Sequence, residues 1–569
     1  MARSQQLSYA HGGSTTPLLG DTIPDFLDRI VTAHPDNEAL VDVPSGRRWT
    51  YSELRSDCRR VAKALMALGL QRGDRVAIWA TNHPEWVLVQ FGTAMAGIVL
   101  VNINPAYRTH ELEYALGNSE VSALLLIERF KSSDYVGMVY SVCPDARESK
   151  PGALRSSKLP LLKTLALMGP REHPGMHTWS SFLALGDGIA DDELDRRQAS
   201  LDMDDVINIQ YTSGTTGLPK GASLTHHNIL NNGYFTGEGM RLTAKDRLCI
   251  PVPFYHCFGM VLSNLACMTH GATMVLPAES FDAQLTLKAV QQERCTALHG
   301  VPTMFIAELE HPEFDSFDLS SLRTGIMAGA PCPIEVMKKV TTRMHAIQMT
   351  ICYGETEASP VVTQTPVDAS LEDRTGTVGL AIPHVELKVV DCETGAMVPC
   401  GAQGEICYRG YNIMRGYYNN RKGTDEVIDE SGWLHSGDLA TMDARGYCKI
   451  TGRAKEMIIR GGENIYPREI EEFLFTNPKV KNVQVIGVPD EKYGEEIQAW
   501  IELREGETAT ADEMRDFCKG KIAHYKIPRY VKFVSEYPMT VTGKIQKYKM
   551  REAAIKELGL EQAAQIRMA

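Results

Sequence analysis

No stretch of the 569 residues approaches the run of about eighteen apolar positions that a membrane-spanning helix needs. Long basic runs are missing too, and the formal net charge is -12, which argues against a nucleic-acid-binding role built on phosphate neutralisation. A small anionic ligand is not excluded, because local loops rather than net charge make such sites. The thirteen cysteines stand singly between Cys58 and Cys518, with no C-x-x-C pair and no Cys/His cluster at metal-ligand spacing. They read as reduced structural thiols of a cytosolic setting. The opening "MARSQQLSYAHGGSTTPLLGD" lacks an apolar core of signal-peptide length and has one arginine, so neither secretion nor organelle import is expected and a cytoplasmic location is. There is no internal repeat and no low-complexity tract. What is present is ordinary for a globular protein: 43% hydrophobic and 23% charged residues, in a chain long enough for several domain-sized units. Peripheral membrane contact and oligomeric state, a homodimer included, stay open.

From about residue 74 to 360, short apolar runs bounded by Gly, Pro and Asn alternate with helix-period segments, as in "DRVAIWATNHPEWVLVQFGTAMAGIVLVNIN" and "CTALHGVPTMFIAELE". That alternation predicts parallel strands with crossover helices. The Pro-, Lys-, Arg- and Ser-rich stretch from Asp145 to His177 interrupts it and reads as a surface excursion. Beyond about residue 380 the texture becomes β-rich, and "VELKVVDCETGAMVPCGAQGEICYRG" alternates as an antiparallel sheet does. After "GRAKEM" (Gly452 to Met457) a compact unit begins. Ile470, Phe473 and Leu474 share a helical face behind Pro467, "VQVIGV", "QAWIEL" and "YVKFV" predict strands, and Thr510 with Glu513 predicts a capping box for a helix carrying Met514, Phe517 and Cys518. The expected class is α/β: a large N-terminal body of stacked α/β subdomains with a β-rich subdomain, residues 1–452, and a small α+β C-terminal domain, residues 453–569.

The stretch "YTSGTTGLPKG", Tyr211 to Gly221, is built to hold an anion. Backbone amides around Gly214 and Gly217, the hydroxyls of Thr212, Ser213, Thr215 and Thr216, and Lys220 can together cradle phosphates. It departs from the P-loop, whose Lys directly follows a Gly at the start of a helix; here Pro219 precedes Lys220 and Gly221 follows it. A plain Gly/Ser/Thr surface loop is the alternative. Four more stretches share its character. "CYGETEASP" sets Tyr353, Gly354, Thr356 and Glu357 directly after an apolar strand, a usual place for ligand residues in an α/β sheet. "WLHSGDL" offers Asp438, "GRAKEMIIRGGENIYP" supplies Arg453, Lys455, Gly461 and Gly462, and "PMTVTGKIQKYKM" carries Lys544 on a Thr-Gly turn. Singly, each has an ordinary reading: a half-buried core tyrosine, a solvated loop carboxylate, a turn aspartate, a tight glycine turn, one solvated lysine beside Lys547 and Lys549.

Together and in this order, the five segments resemble the signature motifs of the adenylate-forming acyl- and aryl-CoA ligase superfamily, over about residues 50 to 550. The closing segments, with "PFYHCFGM" earlier, are similar to its medium-chain acyl-CoA synthetases. The resemblance implies two half-reactions using ATP, Mg2+ and coenzyme A: a carboxylate attacks the α-phosphate of ATP to give an acyl-adenylate and pyrophosphate, then the CoA thiol displaces AMP. It assigns the Tyr211–Gly221 loop, Lys220 included, to the triphosphate, Glu357 to the metal and Thr356 to the α-phosphate. Tyr353 stacks on adenine, the turn Gly329, Ala330 and Pro331 meets the purine edge, and Asp438 and Arg453 bind the ribose. Lys544 carries adenylation, Lys455 is the hinge of a mobile C-terminal domain near residues 453–455, and Gly461 and Gly462 line the pantetheine path. His256, Phe258, Met260, Val301, Met304, Met327 and Ala328 are its acyl-pocket candidates, although such residues are ordinary core in any α/β body.

Rival readings stay open at this point. One is a ligase for aryl, short or branched acids; another is a stand-alone adenylation enzyme loading a separate carrier protein, since about 25 residues after Lys544 leave no room for a fused carrier. A luciferase-type oxygenase shares the adenylation half. A non-catalytic sensor would tolerate loss of Lys544 or Glu357, yet both are present. No acidic residue in "PFYHCFGM" recruits an amino group, which disfavours an amino-acid substrate.

Overall fold

Apolar four- and five-residue runs such as Val99–Asn102 and Thr324–Ala328 are buried along their whole length, as interior strands of a covered parallel sheet must be. The computed structural model describes residues 6–212, 219–330, 332–453, 456–460, 463–490, 492–519, 521–522, 524–540 and 545–565. The chain divides into a larger unit, Ala10–Glu386 with Tyr408–Leu434, and a smaller one, Met1–Tyr9, Leu387–Cys407 and His435–Ala569.

The larger unit holds two sheets. In the nine-stranded sheet, Gln348–Gly354, Thr324–Ala328, Ala297–Gly300, Arg247–Cys249, Thr273–Leu276 and Glu38–Asp42 lie side by side and parallel. Antiparallel strands flank them: Val361–Gln364 on one side and Arg47–Thr50 on the other. The seven-stranded sheet runs parallel through Thr164–Leu167, Ala123–Leu126, Arg75–Trp79, Val99–Asn102 and Val206–Thr212, then turns back through Lys220–Thr225 and ends on Gly416–Tyr417.

Helix Pro84–Ala96 is buried at every residue and lies against helix Tyr51–Ala67. The second helix starts on a capping box in which Thr50 accepts from the Glu53 amide and Glu53 takes the Thr50 amide. One core cluster gathers Cys249, Val275, Leu298, Phe305, Met327, Met337, Met349 and Ile351. The supposed surface excursion is corrected in part: within it, "TLAL" (Thr164–Leu167) is a fully buried strand paired to Ala123–Leu126. The run around it, "LPLLKTLALM", is broken by Pro160 and Lys163 and too short on either side of Lys163 to show a period.

Strand Leu434–Met442, which lies in the smaller unit from His435 on, and Cys448–Arg453 form an antiparallel pair within a five-stranded sheet. A second sheet pairs Val480–Asp490 with Gly494–Leu503, which Tyr530–Phe533 joins in parallel. Ile470 and Leu474 of helix Pro467–Phe475, with Met514 and Cys518 of helix Ala511–Cys518, pack on the second sheet around Val483, Val485 and Ile497. Thr510 caps the latter helix by accepting from the Glu513 amide, and the Glu513 carboxylate, which the Thr510 backbone amide also reaches, pairs with Lys479 at 2.7 Å.

Candidate active site

Parallel strands deliver their C-terminal ends to one edge of a sheet, where ligands of α/β proteins bind. Along that edge of the nine-stranded sheet the chain presents the expected segments in neighbouring positions. Val301 follows Ala297–Gly300, Gly329 and Ala330 follow Thr324–Ala328, and Tyr353 closes Gln348–Gly354; the registers Gly300 to Met327 and Ala328 to Cys352 set them side by side. Thr356 and Glu357 occupy the 3-10 turn that comes next. Gly329 has φ +87°, a left-handed conformation, and a Cβ there would sit 3.2 Å from Val301 Cγ1. Gly329 and Ala330 are exposed, so their backbone groups can meet a flat ligand edge. Pro331 lies outside the described residues.

The anion loop joins two strands rather than a strand and a helix, in keeping with its departure from the P-loop. Val206–Thr212 and Lys220–Thr225 form an antiparallel hairpin with Thr212 opposite Lys220 and Tyr211 opposite Gly221. Ser213, Gly214, Thr215, Thr216 and Gly217 lie outside the described residues. Tyr211 anchors the near end: its hydroxyl lies 2.6 Å from Ser119 Oγ and donates toward Asn118 Oδ1 at 2.9 Å. At the far end the Lys220 ammonium sits 4.8 Å from the centre of the Tyr417 ring. The Tyr417 hydroxyl in turn donates to Glu357 Oε1 at 2.6 Å. Burial, then the negative charge of Glu357, push this phenol well above its ordinary value, so it stays a donor. Tyr408 donates likewise to the neighbouring Glu355. Neither Tyr408 nor Tyr417 stands out in the sequence, because each meets its carboxylate across more than fifty residues of chain.

Of the acyl-pocket candidates, His256 opens a short helical turn, Cys257–Gly259, by accepting the Phe258 amide on Nδ1. A side-chain hydrogen bond joins Cys257 to Thr356, which brings "PFYHCFGM" to the Glu357 turn. Burial and then the charge of Glu357 raise the Cys257 thiol, making it a poor nucleophile. Met260 begins a π-helical stretch, Met260–Leu265. Phe258 packs on His299, 5.3 Å between ring centres. Met304 and Ala328 are almost wholly buried, whereas Met327 belongs to the central core cluster, with Cys332 Sγ 3.0 Å from its sulfur.

In the smaller unit Asp438 and Arg453 face each other across paired strands, Arg453 Nε 2.8 Å from Asp438 Oδ1. The Ser-Gly-Asp turn is held from behind: Ser436 Oγ accepts the Asp438 amide at 3.0 Å and donates to the Ile406 carbonyl at 2.6 Å, while Glu405 Oε1 accepts the Gly437 amide at 2.9 Å. Glu405 Oε2 is 2.9 Å from His435 Nδ1, which also lies 3.4 Å from Cys407 Sγ. Burial raises the Glu405 carboxyl, but His435 and the Gly437 amide outweigh it and hold the group below the ordinary range. Cys407 and His435 meet in space although no ligand spacing links them in sequence, and these hydrogen bonds account for the approach. Lys455, Gly461, Gly462 and Lys544 lie outside the described residues.

The donor set near Glu357 suits a hard divalent cation. A single half-buried carboxylate, with one oxygen engaged by Tyr417 and a lysine on the ring of that tyrosine, matches the way Mg2+ takes one or two carboxylates plus phosphate oxygens. Glu357 would hold the ion, which supplies charge neutralisation along the phosphates.

Fold and site thus define an adenylate-forming enzyme of α/β build. Residues 27–418 match the family model of AMP-binding enzymes and residues 469–544 that of the AMP-binding enzyme C-terminal domain, so the chain belongs to the AMP-binding enzyme family. It is similar to the mitochondrial medium-chain acyl-CoA ligase of Danio rerio, 48% identical over 556 residues, 97% of this chain and 91% of that one. It is 53% identical over 543 residues to YngI of Bacillus subtilis, whose own naming as an acyl-CoA synthetase is provisional; 95% of this chain and 99% of that one are covered. Among solved structures it resembles the anthranilate CoA ligase AuaEII in complex with anthranoyl-AMP, TM-score 0.82, 26% identical, covering 96% of this chain and 99% of that one. ATP-bound MatB from Rhodopseudomonas palustris gives TM-score 0.80 at 29% identity, over 93% and 99%.

Proposed function

We propose that this chain is an ATP-dependent acyl-CoA synthetase that activates a medium-chain fatty acid as its acyl-adenylate and passes the acyl group to coenzyme A. The observation that carries the reading is the meeting of Lys220, at the end of the anion loop, with Glu357 through one tyrosine at the ligand-binding edge of a parallel sheet. Attack on the α-phosphorus demands positioning and charge neutralisation more than covalent catalysis. In this reading Thr212, Ser213, Gly214, Thr215, Thr216, Gly217 and Lys220 hold the triphosphate, and Thr356 orients the α-phosphate. Tyr353 and the Gly329–Pro331 turn take adenine, and Asp438 with Arg453 takes the ribose. Lys544 neutralises charge as the carboxylate attacks and pyrophosphate leaves. The C-terminal domain then turns about Lys455, near residues 453–455, so that Gly461 and Gly462 line the thiol's path while AMP departs.

The medium-chain preference rests on the named relatives at 41–48% identity over nearly the whole chain. Among the described residues no helix is long and apolar enough to cross a membrane. A cytoplasmic location, supported by the scattered single cysteines, and a homodimer complete the proposal.

ATP–pyrophosphate exchange over straight-chain acids of increasing length and over benzoates, with and without CoA, tests it. The expected result is exchange peaking at medium chains, with thioester formed when CoA is added. Exchange with amino acids alone, or no thioester from any acid, overturns the reading; a maximum on benzoates moves the substrate to aryl acids.

A further inference from the structure

Between the anion loop and Glu357 stands a side chain that no motif names. Tyr417 is 9% exposed and lies on the short strand Gly416–Tyr417, paired with Lys220–Thr225 so that Tyr417 is opposite Ala222. Its backbone is pinned twice more: its amide donates to Thr424 Oγ1 at 2.9 Å, and the next amide, of Tyr418, donates to the Gly221 carbonyl at 2.7 Å. Tyr418 turns the other way, its hydroxyl donating to Glu120 Oε2 at 2.8 Å and its ring lying 5.9 Å from the Arg75 guanidinium. The backbone that carries the Tyr417 side chain is thereby held on both sides.

On the side chain so placed, two functional groups converge. The phenol takes one oxygen of Glu357, Oε1, and leaves Oε2 as the oxygen that can meet a cation. The ring face carries the Lys220 ammonium. A carboxylate hydrogen-bonded through one oxygen is held in one orientation, and such outer partners of metal ligands commonly set affinity by about 10- to 100-fold. A cation parked on a π-face keeps a long flexible side chain at the mouth of the loop, where it would otherwise spread over many rotamers.

We infer that Tyr417 is a positioning residue for nucleotide activation: its hydroxyl orients Glu357 toward the divalent metal, and its ring seats Lys220 toward the triphosphate. The inference rests on the acyl-CoA synthetase reading for the identity of the nucleotide. It separates two properties of one side chain. Removing the hydroxyl touches the metal alone, whereas removing the ring touches the triphosphate as well.

The test uses the full chain with Tyr417→Phe and Tyr417→Leu, and binding readouts rather than turnover. Mn2+ affinity is measured by electron paramagnetic resonance with a non-hydrolysable ATP analogue present, and affinity for that analogue is measured separately without metal. Tyr417→Phe is expected to weaken Mn2+ binding by about 10-fold or more and to leave metal-free analogue affinity within about twofold, because the ring remains. Tyr417→Leu is expected to lose both. Thermal melting of the unliganded variants identifies misfolding, and Tyr417→Phe, which keeps shape and volume, is the decisive variant. Wild-type Mn2+ affinity in Tyr417→Phe, or equal loss of metal-free analogue binding in both variants, overturns the assignment. A wild-type chain that binds Mn2+ with the analogue but exchanges pyrophosphate with no acid removes the ligase reading and leaves the Tyr417 comparison decisive on its own; a wild-type chain that binds no Mn2+ with the analogue removes both.

Discussion

Two wholly buried histidines make the larger unit sensitive to mild acid. His299 lies with Nδ1 2.9 Å from Ser263 Oγ and Nε2 3.2 Å from Met240 Sδ, and His226 accepts the Ile23 amide on Nδ1. Burial lowers His299 to about 3 and His226 to about 4. Both are therefore neutral when folded, while in the unfolded chain they take up protons below about pH 6.5. As pH falls from 6.5 toward 4 the unfolded state binds more protons, so stability is lost, by up to about 1.4 kcal/mol per pH unit for each histidine. Urea unfolding at pH 7, 6 and 5 checks this: wild type should weaken with acid, and His299→Asn should show a shallower slope whatever its stability at pH 7. An unfolding free energy flat between pH 6.5 and 5 contradicts the prediction. At this scale the sequence singles out the candidate site residues, since Glu357, Thr356 and Asp438 sit in recognisable local patterns. It does not show what holds them: Tyr417 and Glu405 act across 60 and 32 residues of chain, on Glu357 and Gly437.

Between elements, the decisive contacts are close approaches that local pattern does not report. Helix Pro84–Ala96 lies so near helix Tyr51–Ala67 that a Cβ on Gly92 would meet Val61 Cβ at 2.7 Å and the Cys58 carbonyl oxygen at 2.9 Å. In a free helix Gly92→Ala would gain about 1 kcal/mol from helix propensity. Here the neighbour is partly backbone and cannot step aside, so overpacking at about 1–3 kcal/mol should win. A lowered melting temperature with unchanged helix content is the expected outcome, and a variant as stable as wild type would falsify the close-packing account. The helices themselves are readable: Thr50 with Glu53 announces one start, Pro84 the next and Pro467 a third. The strand Thr164–Leu167 was not readable, because a short run set off by Pro160 and Lys163 becomes a strand only where Ala123–Leu126 offers an open edge.

Across the whole molecule, the proposed roles for the two half-reactions fall on residues far apart in sequence, and the prediction belongs there. Lys544→Ala should abolish acyl-adenylate formation by about two orders of magnitude or more, as loss of a charge-stabilising donor does, while thioester formation from supplied acyl-adenylate is largely spared. Single-turnover assays of each half separate the steps, and equal loss in both refutes the role. The sequence by itself determined the alternation of strands and helices, the order of the five motifs and hence the family, because each depends on residues within a few positions of one another. Only the tertiary structure decided that Lys220 and Glu357 share Tyr417, that Asp438 pairs with Arg453 over a turn held by Glu405, and that Cys407 meets His435. These contacts depend on which strand lies beside which, and that is fixed by burying the apolar faces of whole sheets, a sum over the chain that no local segment contains.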